Sequence, residues 1–401
     1  MSNHEARSTM LSVLLGCLVA GGLGTAGRPL SADVSPAGAV GLPETVAARI
    51  LPMRIEESGD LPVIATWEYL DGAGAYNKAV DELLLSRLDA YKGSIYYPAI
   101  PTEAVESSTG LSVSVRVTGM SGRLVTFRVS EEAQEGAPRS TVFTTDLDTG
   151  TTHEGQPPQP ASVLSAVFPW VDRRAADLSA LDEPAPPGRK HINCDLVPCV
   201  ALTYDDGPNH DTLRLLEILR ARGVHATFFQ QGVNIAASPD ITKAVADAGH
   251  TVANHTYTHA DLGGIGLEAV RQEVLLTAEL IKQQTGRHPG YFRPPYGTLS
   301  AEAAAVVNVP VIMWSVDSQD WLTQNKDLYI PQVMEGVHPG AIVLMHDIHS
   351  ASVDGQDELI GDLLAKGYYA VTLAQLFEGI ELSPGAIYYC RGPAASCTQS
   401  R

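Results

Sequence analysis

Cys199-Val200-Ala201-Leu202-Thr203-Tyr204-Asp205-Asp206-Gly207-Pro208 joins an apolar run that suits a buried strand to two adjacent carboxylates and a turn signal. Neighbouring side chains leaving a strand point in different directions, so one acid can face a cation while the other faces water. Farther along, His255-Thr256-Tyr257-Thr258-His259 sets two imidazoles at i and i+4, which on a helical turn share one face. One carboxylate, two neutral imidazoles and an open position form a normal ligand set for a catalytic zinc. Taken alone, Asp205 to Pro208 reads more readily as a plain turn, and the two histidines as ordinary surface or core residues.

From Cys194 onward the apolar period alternates between strand and helix. Strands are predicted at 199–203, 225–230, 250–254, 290–292, 309–316, 340–345 and 368–373, with helices at 211–222, 240–248, 266–284, 355–366 and 374–380. This alternation predicts an α/β fold: a distorted (β/α) barrel of about seven parallel strands, with every polar cluster just after a strand, at the mouth where such barrels keep their chemistry.

Five motifs follow in order: Thr203 to Pro208, His255 to His259, Arg293-Pro294-Pro295-Tyr296-Gly297, Asp317-Ser318-Gln319-Asp320-Trp321, and Leu344-Met345-His346-Asp347. The set resembles the polysaccharide deacetylases of carbohydrate esterase family four, the NodB-homology domain, over residues 194–380. The visible departure is Tyr204, where phenylalanine is common. The resemblance implies that Asp206, His255 and His259 hold a divalent metal, zinc by default, with cobalt, nickel or manganese able to fit the same donors. It assigns Asp205 as general base, Arg293 as its partner and the Tyr296 amide as a donor to the oxyanion. It further implies that His346 is the general acid, opposite the base across the mouth, that Asp320 orients it, and that Trp321 and Leu344 wall a slot for the acetyl methyl, although both suit core packing equally. His210, His250, His288 and His349 read as structural or surface residues. No nucleotide or organic cofactor is implied.

Working back toward the N-terminus, Glu183-Pro184-Ala185-Pro186-Pro187-Gly188 reads as part of a Pro-rich linker spanning 176–193. Before it, 61–175 is expected to form a small α+β accessory domain. A strand is expected from Pro62 to Leu70, a helix from Tyr76 to Tyr91 with Val80, Leu83, Leu84, Leu88 and Tyr91 on one side, and three further strands at 111–117, 123–129 and 140–146 in a small antiparallel sheet. No nucleophile, charged pair or ligand cluster stands out there. Residues 28–60, rich in Pro, Ala, Gly and Ser, read as a flexible tether. Residues 1–27 read as an export signal, with Arg7 before an apolar run from Met10 to Leu23 and small residues after it. Lipid anchoring through Cys17 is the alternative to plain secretion.

The 401 residues carry 27 Lys and Arg against 46 Asp and Glu, a formal charge of −19, which excludes nucleic acid as a natural partner and argues against attachment to an anionic membrane. Once Cys17 has left with the signal, Cys194, Cys199, Cys390 and Cys397 remain. These suggest two disulfides in any of three connectivities, one of which ties the start of the fold to its end. No transmembrane helix is expected in the mature chain, which should be a monomer.

The expected activity is removal of acetyl groups from N-acetylglucosamine units of an acetylated glycan, peptidoglycan first, with chitooligosaccharides or acetylated xylan as alternatives. A non-catalytic wall-binding protein is the reading from another class, and the intact acids and histidines oppose it.

Overall fold

The computed structural model describes residues 42–101, 110–133, 137–155, 181, 191–392 and 397. The expected signal, the Cys17 site, the first part of the tether at 28–41 and the Pro-rich run at 183–188 lie outside them. Among the described residues no helix is long and apolar enough to cross a membrane.

The first part is a six-stranded sheet in the order β1 (Ile50–Glu57), β2 (Val63–Leu70), β3 (Leu111–Ser121), β4 (Leu124–Glu132), β5 (Arg139–Asp146) and β6 (Thr152–Glu154). Two expectations are corrected. Residues 50–57, expected as tether, form a strand registered against β2 from Ile50–Leu70 to Glu57–Val63. The sheet is also not wholly antiparallel, because β2 and β3 run parallel. The helix Gly74–Lys92 lies between them, and such a crossover returns the chain in the same direction. Its face of Tyr76, Val80, Leu84 and Leu88 is fully buried in the shared core, as its apolar spacing demands.

The second part is a parallel sheet with helices between strands. Its ladder runs β11 (Val316–Asp317), β12 (Ala341–His346), β7 (Cys199–Asp205), β8 (Thr227–Gln230) and β9 (Thr251–Asn254), and β13 (Tyr369–Val371) pairs the start of β7. Single-residue parallel bridges from Asn254 to Phe292 and from Phe292 to Val311 continue the pairing to β10 (Val311–Ile312), which also pairs β14 (Ile387–Tyr388). The strands predicted at 225–230, 250–254 and 368–373 are trimmed at their ends, and two others depart further. At 290–292 only Phe292 pairs, and beyond Arg293 the residues Pro294 and Pro295 bring no N–H to carry a ladder onward. The run at 309–316 changes partner midway: Met313 N–H donates to Tyr388 O, whereas Ser315 N–H donates to Ile342 O.

β7 is buried along its whole length, as the near-continuous apolar run of a central parallel strand requires. Both disulfides are local, Cys194–Cys199 and Cys390–Cys397, which overturns the arrangement tying start to end. Cys194 and Cys199 are five residues apart across the turn that enters β7, so each finds its partner before any distant thiol can.

Candidate active site

β7 delivers its two acids to different surroundings. Asp205, the last residue of the strand, is 3% exposed, and its Oδ1 accepts from Arg293 Nη1 at 2.7 Å. Arg293 is fully buried and spends its fork on Thr203 Oγ1, Ile312 O and Met313 O as well, with its guanidinium 4.1 Å above the Phe229 ring. Burial pulls the guanidinium below its ordinary range, and the charge of Asp205 opposes that pull. A buried arginine so completely bonded fixes the direction of the acid it holds.

Asp206 turns away through a left-handed backbone, φ 76°. Its Oδ1 lies 3.2 Å from His259 Nε2 and 3.5 Å from His255 Nε2. One donor atom from each of Asp206, His255 and His259 falls within 4.8 Å of the other two. The far nitrogens are committed elsewhere: His255 Nδ1 is 2.8 Å from Arg293 O and His259 Nδ1 is 3.1 Å from Tyr296 Oη. A carbonyl can only accept, so His255 carries its hydrogen on Nδ1 and presents the Nε2 lone pair inward.

Burial lowers the His259 pKa, and neighbouring His255 lowers it further against the pull of Asp206, which favours the neutral form a ligand needs. For Asp206 burial acts upward, but the imidazoles of His255, His346 and His259 and the Gln231 amide bring the carboxyl below its ordinary value. The donor set, its spacing and its committed far nitrogens fit a divalent cation.

The histidine pair does not sit on a helical turn. Residues 255–259 form a bend with Thr256 and His259 at φ 65° and 63°, where Asn254 Oδ1 accepts from Thr256 N–H and Thr256 Oγ1 from His259 N–H. The side-chain acceptors of Asn254 and Thr256 satisfy those amides in place of helical carbonyls. Glu273, on the helix Leu267–Thr285, closes the bend by accepting from Tyr257 N–H, Thr258 N–H and Thr258 Oγ1 at 2.7–2.8 Å.

His346 ends β12 and its backbone is in register with Asp205, so the two lie on adjacent strands and not on opposite sides as expected. Asp320, fully buried, takes His346 Nδ1 on Oδ1 and His346 N–H on Oδ2, each at 2.8 Å. Burial alone disfavours the imidazolium, but the bond to Asp320 and the charges of Asp320, Asp205 and Asp206 raise His346 to about 9. Trp321 is 48% exposed, and its side chain donates to Asp317; Leu344 is buried and in register with Asp317. Tyr296 is largely exposed at φ 59°.

Gln231, Asn234 and Glu273 were not singled out by the sequence reading. Gln231 Nε2 donates to Asp206 Oδ1 and Asn234 Nδ2 to Asp206 O, both at 2.7 Å. The signal present was a polar pair, Gln230-Gln231, closing the aromatic strand Thr227-Phe228-Phe229. Glu273 had no local signal, being one more acid on an amphipathic helix.

The pattern of the polysaccharide deacetylase family matches residues 193–309. The peptidoglycan-N-acetylglucosamine deacetylase PgdA of Listeria monocytogenes is 36% identical over 191 residues, 47% of this chain and 41% of that protein. The peptidoglycan-N-acetylglucosamine deacetylase of Bacillus cereus is 35% identical over 187 residues, 45% of this chain and 68% of that protein. A chitooligosaccharide deacetylase of Bradyrhizobium is 37% identical over 153 residues, 37% of this chain and 70% of that protein. The chain therefore spans about two fifths of the length of the Listeria relative and about two thirds of the other two. With its five motifs in order and their side chains gathered at the ends of the parallel strands, the chain belongs to the polysaccharide deacetylase family.

Proposed function

We propose that the protein is an exported, metal-dependent N-deacetylase that hydrolyses the acetamide of N-acetylglucosamine units in peptidoglycan, releasing acetate. The observation that carries this reading is the convergence of Asp206, His255 and His259 between an acid held by arginine and a histidine held by aspartate. A cation held by those three residues supplies Lewis acidity, lowering the pKa of water and polarising the amide carbonyl. Asp205, aimed by Arg293, takes a proton from the attacking water. His346, cationic through Asp320, returns a proton to the nitrogen, which leaves poorly as an anion. The Tyr296 N–H is the further donor to the oxygen that gains charge. Trp321, half-exposed, and Leu344, buried, serve the acetyl methyl.

The pairing order and the two bridges through Phe292 favour a distorted (β/α) barrel from residue 194 onward, preceded by an accessory unit that begins with β1 at Ile50, ahead of the expected 61. Two disulfides support an oxidising compartment outside the cytoplasm. Peptidoglycan is the substrate named for the Listeria and Bacillus relatives; the Bradyrhizobium relative supports chitooligosaccharide as the second reading. Acetate release is to be measured on N-acetylated peptidoglycan, chitooligosaccharide and acetylated xylan, with and without a chelator. Peptidoglycan turnover abolished by chelator and by Asp205→Asn is expected. Full turnover by Asp205→Asn, or in chelator, overturns the mechanism, and a stronger response to either other glycan overturns the substrate.

A further inference from the structure

The turn after β8 is bonded to both loops that carry the candidate ligands. Gln231 N–H donates to Gly207 O at 3.0 Å, on the acid loop, while Gly232 N–H and Val233 N–H donate to Thr256 O and Tyr257 O at 2.9 and 3.0 Å, on the histidine loop. The side chains of the same turn then reach Asp206 at two points. Asn234 Nδ2 holds the Asp206 carbonyl, and Gln231 Nε2 holds Asp206 Oδ1, the oxygen that faces both imidazoles.

Asp206 needs such restraint. A left-handed backbone is unfavourable for a residue with a Cβ and persists where its surroundings over-determine it. A free carboxylate there could also rotate and present either oxygen, or neither, to the histidines. The Gln231 amide removes that freedom with a directional bond. It is half-buried, so water competes for the bond only in part.

We propose that Gln231 is a positioning residue for metal binding: its amide sets Asp206 Oδ1 toward His255 and His259 before the cation arrives. The inference rests on the metal-site reading above and deepens it by naming what pre-organises the acid ligand. Partners that bond a ligating carboxylate characteristically contribute about 10- to 100-fold in metal affinity.

Zinc affinity of the full chain is to be measured by competition with a chromophoric chelator for the wild type, Gln231→Met and Val233→Met. Methionine matches glutamine in length and lacks the donor; Val233 is an exposed neighbour on the same turn and serves as control. Gln231→Met is expected to bind zinc about 10- to 100-fold more weakly, with the melting temperature of the metal-free protein unchanged and acetate release restored by excess zinc. Val233→Met is expected to bind as the wild type does. Gln231→Ala, which removes the side chain altogether, replaces the methionine variant should that one fold poorly. If the wild type binds zinc and Gln231→Met binds it within about twofold, the inference is overturned. A wild type that binds no zinc instead defeats the metal-site reading itself.

Discussion

At the residue scale, Asp205 and Asp206 are neighbours in different environments, and the proposed mechanism gives them separate tasks for that reason. The first is locked onto a buried guanidinium, the second turned to two imidazoles. Asp205→Asn should therefore lower kcat about a hundred- to ten-thousandfold while zinc content, read by atomic absorption, stays at the wild-type level. His346 gives a second expectation, since the proposed mechanism uses it as the cation. With its pKa raised to about 9, kcat should fall as pH rises through about 9. Asp320→Asn removes the charge that does most to offset burial, so that limb should move to lower pH in a kcat profile from pH 5.5 to 10. The sign for stability is the same. The folded value lies above the roughly 6.5 of an unfolded imidazole, so the His346–Asp320 pair stabilises fully below that pH, and the contribution is lost as pH rises through about 9.

At the scale of elements, the site depends on how closely the turn after β8 approaches the histidine bend. A Cβ on Gly232 would lie 2.2 Å from Tyr257 Cδ2 and 2.7 Å from Thr277 Oγ1, one neighbour on the bend and the other on the helix behind it. Gly232→Ala should push the bend away from Asp206, weakening zinc binding and costing about 1–3 kcal/mol in urea unfolding. Glu273→Ala removes three hydrogen bonds from the same bend, and zinc affinity and melting temperature should both fall in titration and calorimetry. What the sequence made legible at this scale follows from period and order. The apolar run into Asp205-Asp206 read as a buried strand and is one, and the helix at 211–222 begins one residue early, at His210. The histidine spacing correctly foretold proximity, but it could not reveal the bend. That bend is held by Asn254, Thr256 and a carboxylate more than a dozen residues away on another element. Gln231 escaped notice for the same reason: its partner, Asp206, is distant in the chain and becomes near only when β7 and β8 pair. The edge strand β1 was missed because Ile50-Leu51-Pro52-Met53-Arg54 lacks clean alternation and contains a proline, which an edge tolerates.

At the scale of the whole molecule, the amino-terminal sheet and the parallel sheet meet through a few polar contacts around a shared core. Tyr97 Oη lies 2.9 Å from both Pro339 O and Arg391 O, Tyr96 Oη lies 3.5 Å from Leu196 O, and His191 Nε2 lies 2.8 Å from Asp81 Oδ2. Tyr97→Phe should cost about 1 kcal/mol in chemical denaturation and leave kcat on a short oligosaccharide unchanged. Leu196 and Pro339 come just before β7 and β12, whose far ends carry Asp205 and His346. The anchoring contacts at Leu196 and Pro339 therefore lie at the starting ends of these strands, away from the ends that carry Asp205 and His346. The acids and histidines at the opposite ends are held by bonds of their own, Asp205 by Arg293, Asp206 by Gln231 and His346 by Asp320, so a change at the anchors should be felt in stability before it is felt in the site.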